Sequence, residues 1–169
     1  MSRPIEQSWW TRPRVAGVAA LALLALASTA SAVAVGYAVH RHAQRSQDRS
    51  DALAAARTDT VALQSYSYRN LDGEVAANSK LVTPHFREIY AKQLLTVVAP
   101  VATRRHMAVA ARASDVAIQT LSNGRATVLV ADDQVTYTGD KASPVASYRL
   151  RMQLVRSHGT WLVDDLTAV

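Results

Sequence analysis

The chain divides first by polarity. Residues 15–39 carry no charged side chain. As a helix they extend about 37 Å at ~1.5 Å per residue, enough to cross a hydrocarbon layer of about 30 Å with some tilt. Val15, Leu21, Leu24, Val33 and Val39 mark this run as membrane-anchor positions. Trp9 and Trp10 precede it and Tyr37 stands near its end, where aromatic rings suit the two interfaces. Arg12, Arg14 and the small-x-small run Ala30-Ser31-Ala32 also fit a cleavable signal peptide. The apolar continuation through Val33, Val35 and Val39 favours an uncleaved anchor. Ala16/Ala20 and Ala32/Gly36 have the four-residue spacing of small residues that lets another helix approach, but alanine bias explains them better.

Beyond residue 39 the pattern becomes helical. Leu53, Ala56, Thr60 and Leu63 recur at helical spacing and predict an amphipathic stalk helix over residues 40–64. Asp72 is a cap for a short helix over residues 73–82, with Leu71 as its staple residue. Thr83-Pro84 is a cleaner start, a capping hydroxyl followed by a proline where no amide hydrogen is needed. Phe86, Ile89, Tyr90, Leu94 and Val97 predict the apolar stripe of the helix that follows. Pro100 is expected to end or kink it.

The period then falls to two. Met107, Val109 and Ala111 alternate, Ser114-Asp115 reads as a bend or bulge, and Val116 and Ile118 resume the pattern. Asn123-Gly124 predicts a hairpin. Ala126, Val128 and Val130 alternate beyond it in a strand reaching Tyr137, and residues 139–144 read as a loop. Tyr148, Leu150, Met152 and Leu154 alternate with polar residues in the clearest half-buried strand. His158-Gly159 turns into a last strand holding Trp161 and Val163. Helices followed by an antiparallel meander of about four strands predict an α+β domain with helices packed on one sheet face. The expected division is a short cytoplasmic tail over 1–14, a transmembrane helix over 15–39, a stalk over 40–64 and an α+β domain over 65–169.

Composition narrows the chemistry. The absence of cysteine excludes disulfides, thiolate catalysis and cysteine-based zinc sites. The net charge is +6, and from His40 onward 16 Lys/Arg face 12 Asp/Glu. That diffuse surplus suits a domain near anionic lipid, and no basic stripe interleaved with aromatics supports nucleic-acid binding. Orientation is poorly determined by charge, because Arg3, Arg12 and Arg14 on one side face Arg41, Arg45 and Arg49 on the other. The short N-terminal tail favours a cytoplasmic N-terminus and an extracytoplasmic domain.

Several motifs keep their order along the chain. They are the anchor, Ser65-Tyr66-Ser67-Tyr68, Leu71-Asp72, Leu81-Val82-Thr83-Pro84-His85-Phe86-Arg87-Glu88-Ile89-Tyr90, the strand over 126–130 running into Asp133-Gln134, and the terminal His158-Gly159-Thr160-Trp161-Leu162-Val163-Asp164-Asp165-Leu166. In this order the chain resembles the actinobacterial Mce-associated membrane proteins. The resemblance implies a single-pass protein whose extracytoplasmic domain has an NTF2-like fold with a curved sheet. It also implies support of Mce complexes in lipid transport, with Mce components, other envelope proteins and membrane lipids as partners. Related curved-sheet domains occur in type IV secretion assembly proteins, so the fold does not dictate function. The resemblance supplies no catalytic residues.

The residues themselves assign no catalytic, cofactor-binding or metal-ligating position. Histidines 40, 42, 85, 106 and 158 lack a ligand spacing such as H-E-x-x-H. Asp132-Asp133 and Asp164-Asp165 each place at most one carboxylate on a given strand face. Tyr66, Tyr68, Tyr90 and Tyr148 are candidates to line an NTF2-like cone, where related enzymes use an Asp or His beside a Tyr, but core packing explains them better. Arg104-Arg105-His106 is the densest basic cluster and the candidate interaction patch for an acidic partner or lipid headgroup. Thr83, Pro84, Gly159 and Trp161 read as structural. Three functions compete: a non-enzymatic accessory subunit, a lipid or small-molecule binder, and an isomerase or dehydratase.

Overall fold

The computed structural model describes residues 44–169. The expected tail and anchor, with Val15, Leu21, Leu24, Val33 and Val39, lie outside the described residues, as do His40 and His42. Among the described residues no helix is long and apolar enough to cross a membrane.

A compact unit spans Gln47–Val169. Helix α1, over residues 44–64, brings Ala52, Ala56, Thr60 and Leu63 into its core. The segment expected as a stalk is therefore largely a core element, and the unit starts well before residue 65. Ala52 and Ala56 let the helix backbone sit close to the sheet, a role that hydropathy alone does not reveal.

A two-residue strand β1 (Tyr66–Ser67) leads to α2 (Leu71–Asn78), which starts earlier than expected. Asn70, not Asp72, occupies the cap position, and Asp72 lies in the first turn. Leu71 is a buried helical residue there. A side-chain carbon at Gly73 would meet the Asn70 side chain, which would have to swing aside.

Helix α3 (Pro84–Lys92) begins at Thr83, whose Oγ1 accepts the Phe86 amide at 3.3 Å. Pro100 does not end the rod. A π-helical turn, Gln93–Val98, joins α3 to α4 (Ala99–Arg105). That wider turn accommodates a proline that lacks an amide hydrogen and crowds the carbonyl four residues back. The inward stripe is Phe86, Tyr90, Leu94, Val98 and Ala102, whereas Ile89 and Val97 are 50% and 54% exposed.

The sheet runs β1-β2-β3-β5-β6, with β4 paired to β3. Its long strands are β2 (Met107–Ser122), β3 (Arg125–Thr138), β5 (Ala146–Ser157) and β6 (Thr160–Ala168), and β4 is Lys141–Ala142. All pairings within it are antiparallel. The Asn123-Gly124 and His158-Gly159 turns both have positive φ, as two-residue hairpins require. Bulges between Ala113 and Asp115 and between Ile118 and Thr120 shift the buried phase of β2, and a third lies opposite Gln153 and Leu154. Such extra residues bend and twist a sheet.

The core follows the strand register. Ala126, Val128 and Val130 stand opposite Leu154, Met152 and Leu150, and all six are buried. Trp161 and Val163 extend the layer on β6, and α1 and Phe86 cover it. Each fully buried large aliphatic contributes about 1.5–3 kcal/mol. A parallel bridge, Val82 to Val163, docks the start of α3 on β6.

Candidate functional site

The interior layer is closed. Val128, Val130, Met152, Leu154 and Val163 are each at most 1% exposed. Asp132 continues this inward row past Val130 and is itself fully buried. Its Oδ2 accepts a 2.7 Å hydrogen bond from Gln134 Nε2, while Oδ1 has no partner. Burial pushes the Asp132 carboxyl above its ordinary value, and the Gln134 hydrogen bond opposes the shift. Asp133 turns outward and accepts from Ser147 Oγ at 2.6 Å, which holds its carboxyl below the usual range. The pair is thus split across the sheet, as strand geometry requires.

Asp164 and Asp165 serve the framework. Asp164 Oδ1 accepts from Thr83 Oγ1 at 2.8 Å, tying β6 to the cap of α3. Asp165 stands on the outer face opposite Gln153. Among the described residues no Asp or His hydrogen-bonds a tyrosine hydroxyl, the arrangement that acid–base chemistry of the isomerase type needs. No group of three or more His, Asp or Glu among them is placed to hold a metal ion.

The four tyrosines part company. Tyr148 stands opposite Asp132 on β5 but is 45% exposed. Tyr68 lies at the turn after β1. Tyr66 and Tyr90 line an apolar cleft of about 450 Å³, with Leu63 and Gln64 of α1, Phe86, Ile89, Leu94 and Val98 of the long rod, and Leu166 of β6. Asn78 Nδ2 donates both to the Tyr90 hydroxyl at 3.1 Å and to the Ala62 carbonyl at 2.7 Å. Burial raises both phenols above their ordinary value, with the Asn78 bond working against the rise at Tyr90. The cleft offers apolar surface, two phenols and the Gln64 and Gln93 amides, but no ionisable acid–base pair. The π-helical turn forms part of its wall, and such turns recur at functional sites.

Arg104 and Arg105 occupy the last turn of α4, and His106 caps it in the left-handed conformation at φ 51°. All three are exposed. The fold adds residues that sequence inspection missed. The His106 ring meets Tyr68 edge-on at 5.1 Å between centroids. Arg69 stacks over the same tyrosine at 5.3 Å and donates from Nε to its hydroxyl at 3.1 Å. No local pattern links Arg69 to a cluster more than thirty residues away. His85 lies exposed in the first turn of α3, and His158 in the final hairpin.

The residues read as structural are placed as follows. Thr83 is buried at the cap and Pro84 is the first helical residue. Gly159 has φ 87°. Trp161 is 5% exposed, and its indole Nε1 has no hydrogen-bond partner.

No family model matches the chain. The chain is 32% identical over 119 residues to the uncharacterized protein Rv1362c of Mycobacterium tuberculosis. The match covers 70% of this chain and 54% of that protein, so the chain spans about half the length of the curated relatives it matches. Among solved structures it is similar to an IcmL-like type IV secretion system protein of Legionella pneumophila, with TM-score 0.63, 15% identity and coverage of 72% of this chain and 91% of that one. The periplasmic domain of DotI gives TM-score 0.61 and 16% identity over 71% and 94%. An NTF2-like protein with a cystatin-like fold from Novosphingobium aromaticivorans gives 0.54 and 11% over 77% and 86%. The fold is accordingly NTF2-like, with helices packed on a curled antiparallel sheet.

Proposed function

We propose that this chain is a non-enzymatic, membrane-anchored accessory protein whose extracytoplasmic domain acts through protein–protein contacts. Within that class we assign it to an Mce-type lipid-transport assembly of the cell envelope. The observation that carries the reading is a closed sheet interior beneath an outer surface with an apolar cleft and a basic corner. A filled sheet layer supports a framework role for the interior, while the surface offers contacts. A fold neighbour that is a type IV secretion system protein supports the same class. The Mce assignment rests on the ordered motifs of the sequence.

Co-purification of the tagged full chain from mild detergent tests the assembly. Mce components are expected to co-elute, and recovery of free protein alone would count against the assignment. Topology is tested separately. The chain has no cysteine, so Ser122→Cys beside the exposed first hairpin gives a single label site. A membrane-impermeant maleimide should label it on intact cells, and labelling only after lysis would reverse the orientation.

The apolar cleft favours a second reading, a lipid or small-molecule binder. Its volume of about 450 Å³ lies within the usual span of ligand sites, roughly 300–1,000 Å³. Mass spectrometry of solvent extracts from purified protein should then return a stoichiometric lipid, and empty extracts would reject it.

A further inference from the structure

Three separate parts of the chain meet at one corner. The turn after β1 brings Tyr68 and Arg69, the end of α4 brings Arg104, Arg105 and His106, and the loop after β3 brings Gly139, whose amide donates to the His106 carbonyl at 3.1 Å. We propose that this corner docks an acidic segment of a partner protein, with Arg69, Arg104 and Arg105 binding its carboxylates and Tyr68 and His106 forming an aromatic floor. The proposal rests on the accessory-protein reading and specifies the chemistry of its partner.

The corner is rigidly mounted. The Tyr68 amide donates to the Met107 carbonyl at 3.0 Å, and β1 pairs with the start of β2. Both carboxylate oxygens of Glu74 accept the Ser67 amide, at 3.0 and 3.1 Å. Below lies a small apolar cluster of Leu71, Leu94 and Ala102, with Tyr68 and Met107 packed against it. A preformed surface loses less freedom on binding.

The cations are unspent. Among the described residues the ion pairs within 4 Å are Arg125–Asp164 and Arg156–Asp48, so no arginine of the corner is engaged by an acid. Asp72 and Asp140 lie nearby in the chain and are exposed, but neither reaches them at that distance. His106 holds a left-handed backbone conformation that glycine adopts more readily, so the ring is placed at a local conformational cost.

Composition and position favour protein over membrane. Arginine and tyrosine are the residues enriched at protein interfaces, and a planar guanidinium matches a carboxylate through two parallel hydrogen bonds. Helix α1 separates the corner from the point where the chain joins the domain. Asp48 pairs with Arg156 at one end, and Ser65 Oγ accepts the Ala111 amide just past the other. The span between them is about 25 Å at ~1.5 Å per residue. The compact unit therefore begins at the end of α1 away from the corner.

The test uses the full chain in neutral nanodiscs and a fluorescent deca-glutamate peptide, read by anisotropy. Binding should weaken with salt, as exposed charge pairs do. Arg69→Gln/Arg104→Gln/Arg105→Gln should weaken it about tenfold or more, given three charge-assisted contacts. Removing three exposed charges elsewhere, Arg112→Gln/Arg149→Gln/Arg151→Gln, should change it less than twofold. His106→Gly, which relieves the backbone, should weaken binding without lowering the melting temperature. Equal losses in the two triple variants would overturn the proposal, leaving only net charge. Capture by phosphatidylglycerol vesicles that depends on the corner arginines, with peptide binding unaffected, would also overturn it and assign the corner to lipid. Co-purification intact in the corner variant, alongside unchanged peptide binding, would reject the corner but leave the accessory reading standing. Failed co-purification of the wild type would reject the Mce assignment without touching the corner's peptide affinity.

Discussion

The two apolar clusters of this domain are built to different standards. The larger one, between the sheet and α1, is lined by matched cross-strand pairs and shuts out solvent. The smaller one, under the α3–π–α4 rod, has Leu71, Leu94 and Ala102 as its buried members among the described residues. Beside it lie an open cleft, exposed Ile89 and Val97, and the basic corner. The contrast separates two tasks. A filled interior holds the fold, and a thinly covered helical layer leaves surface free for a partner.

The largest expected effect breaks the first cluster. Trp161→Ala should cost about 3–5 kcal/mol, placed toward the lower end because the ring's unpaired Nε1 leaves with it. Urea denaturation measures this, and an unchanged midpoint would mean that β6 is not anchored by the ring.

Next comes a buried charge on the wall of that cluster. Asp59 of α1 is 5% exposed, and burial raises its carboxyl to about 6 from 3.8. A raised folded-state value means that ionisation opposes folding. The penalty is absent below about pH 4, grows between 4 and 6, and is complete above 6. Asp59→Asn should therefore stabilise the domain at pH 7.5 by about 1–2 kcal/mol, allowing for partial solvation. The gain should vanish near pH 4, and a pH-independent gain would point to packing instead.

Thr83→Ala removes both the cap at Phe86 and the bond to Asp164. The expected loss is about 1–2 kcal/mol. Thr83→Ser should recover most of it, since the hydroxyl rather than the methyl makes both contacts.

The smallest effect sharpens the comparison best. Ile89→Ser and Val97→Ser lie on the same rod as buried Leu94 but point to solvent. Each should change stability by no more than about 0.5 kcal/mol. A loss of several kcal/mol at either would mean that the rod's exposed face is covered, and only two layers of equal closure would then remain.

Much of the fold was legible along the chain because its signals are local. Period-two alternation marked β3 and β5, Asn123-Gly124 and His158-Gly159 marked their turns, and Thr83-Pro84 marked the start of α3. These depend on backbone sterics and on hydrogen bonds within a few residues. The misreadings arose where neighbours decide. Ile89 and Val97 fit an apolar stripe, but the sheet meets the rod along Phe86, Tyr90 and Leu94. Pro100 is expected to end or kink the helix; the helix does not end there, and a π-helical turn precedes the proline. Leu53, Ala56, Thr60 and Leu63 predict an amphipathic stalk helix over residues 40–64; the last three are buried, but their spacing does not show that alanine lets the helix lie close to the sheet.

The candidate site was legible only in fragments. Arg104, Arg105 and His106 stand together in the sequence, whereas Arg69 and Tyr68 join them through the pairing of β1 with β2. The sequence by itself determined the order of elements, the hairpins, the cap of α3 and the opposite facing of Asp132 and Asp133, because each follows from short-range geometry. Tertiary structure alone decided which apolar residues were buried, which of the two aspartates entered the core, and which cations gathered at the corner. Those outcomes depend on contacts between distant segments, and chain spacing carries no record of them.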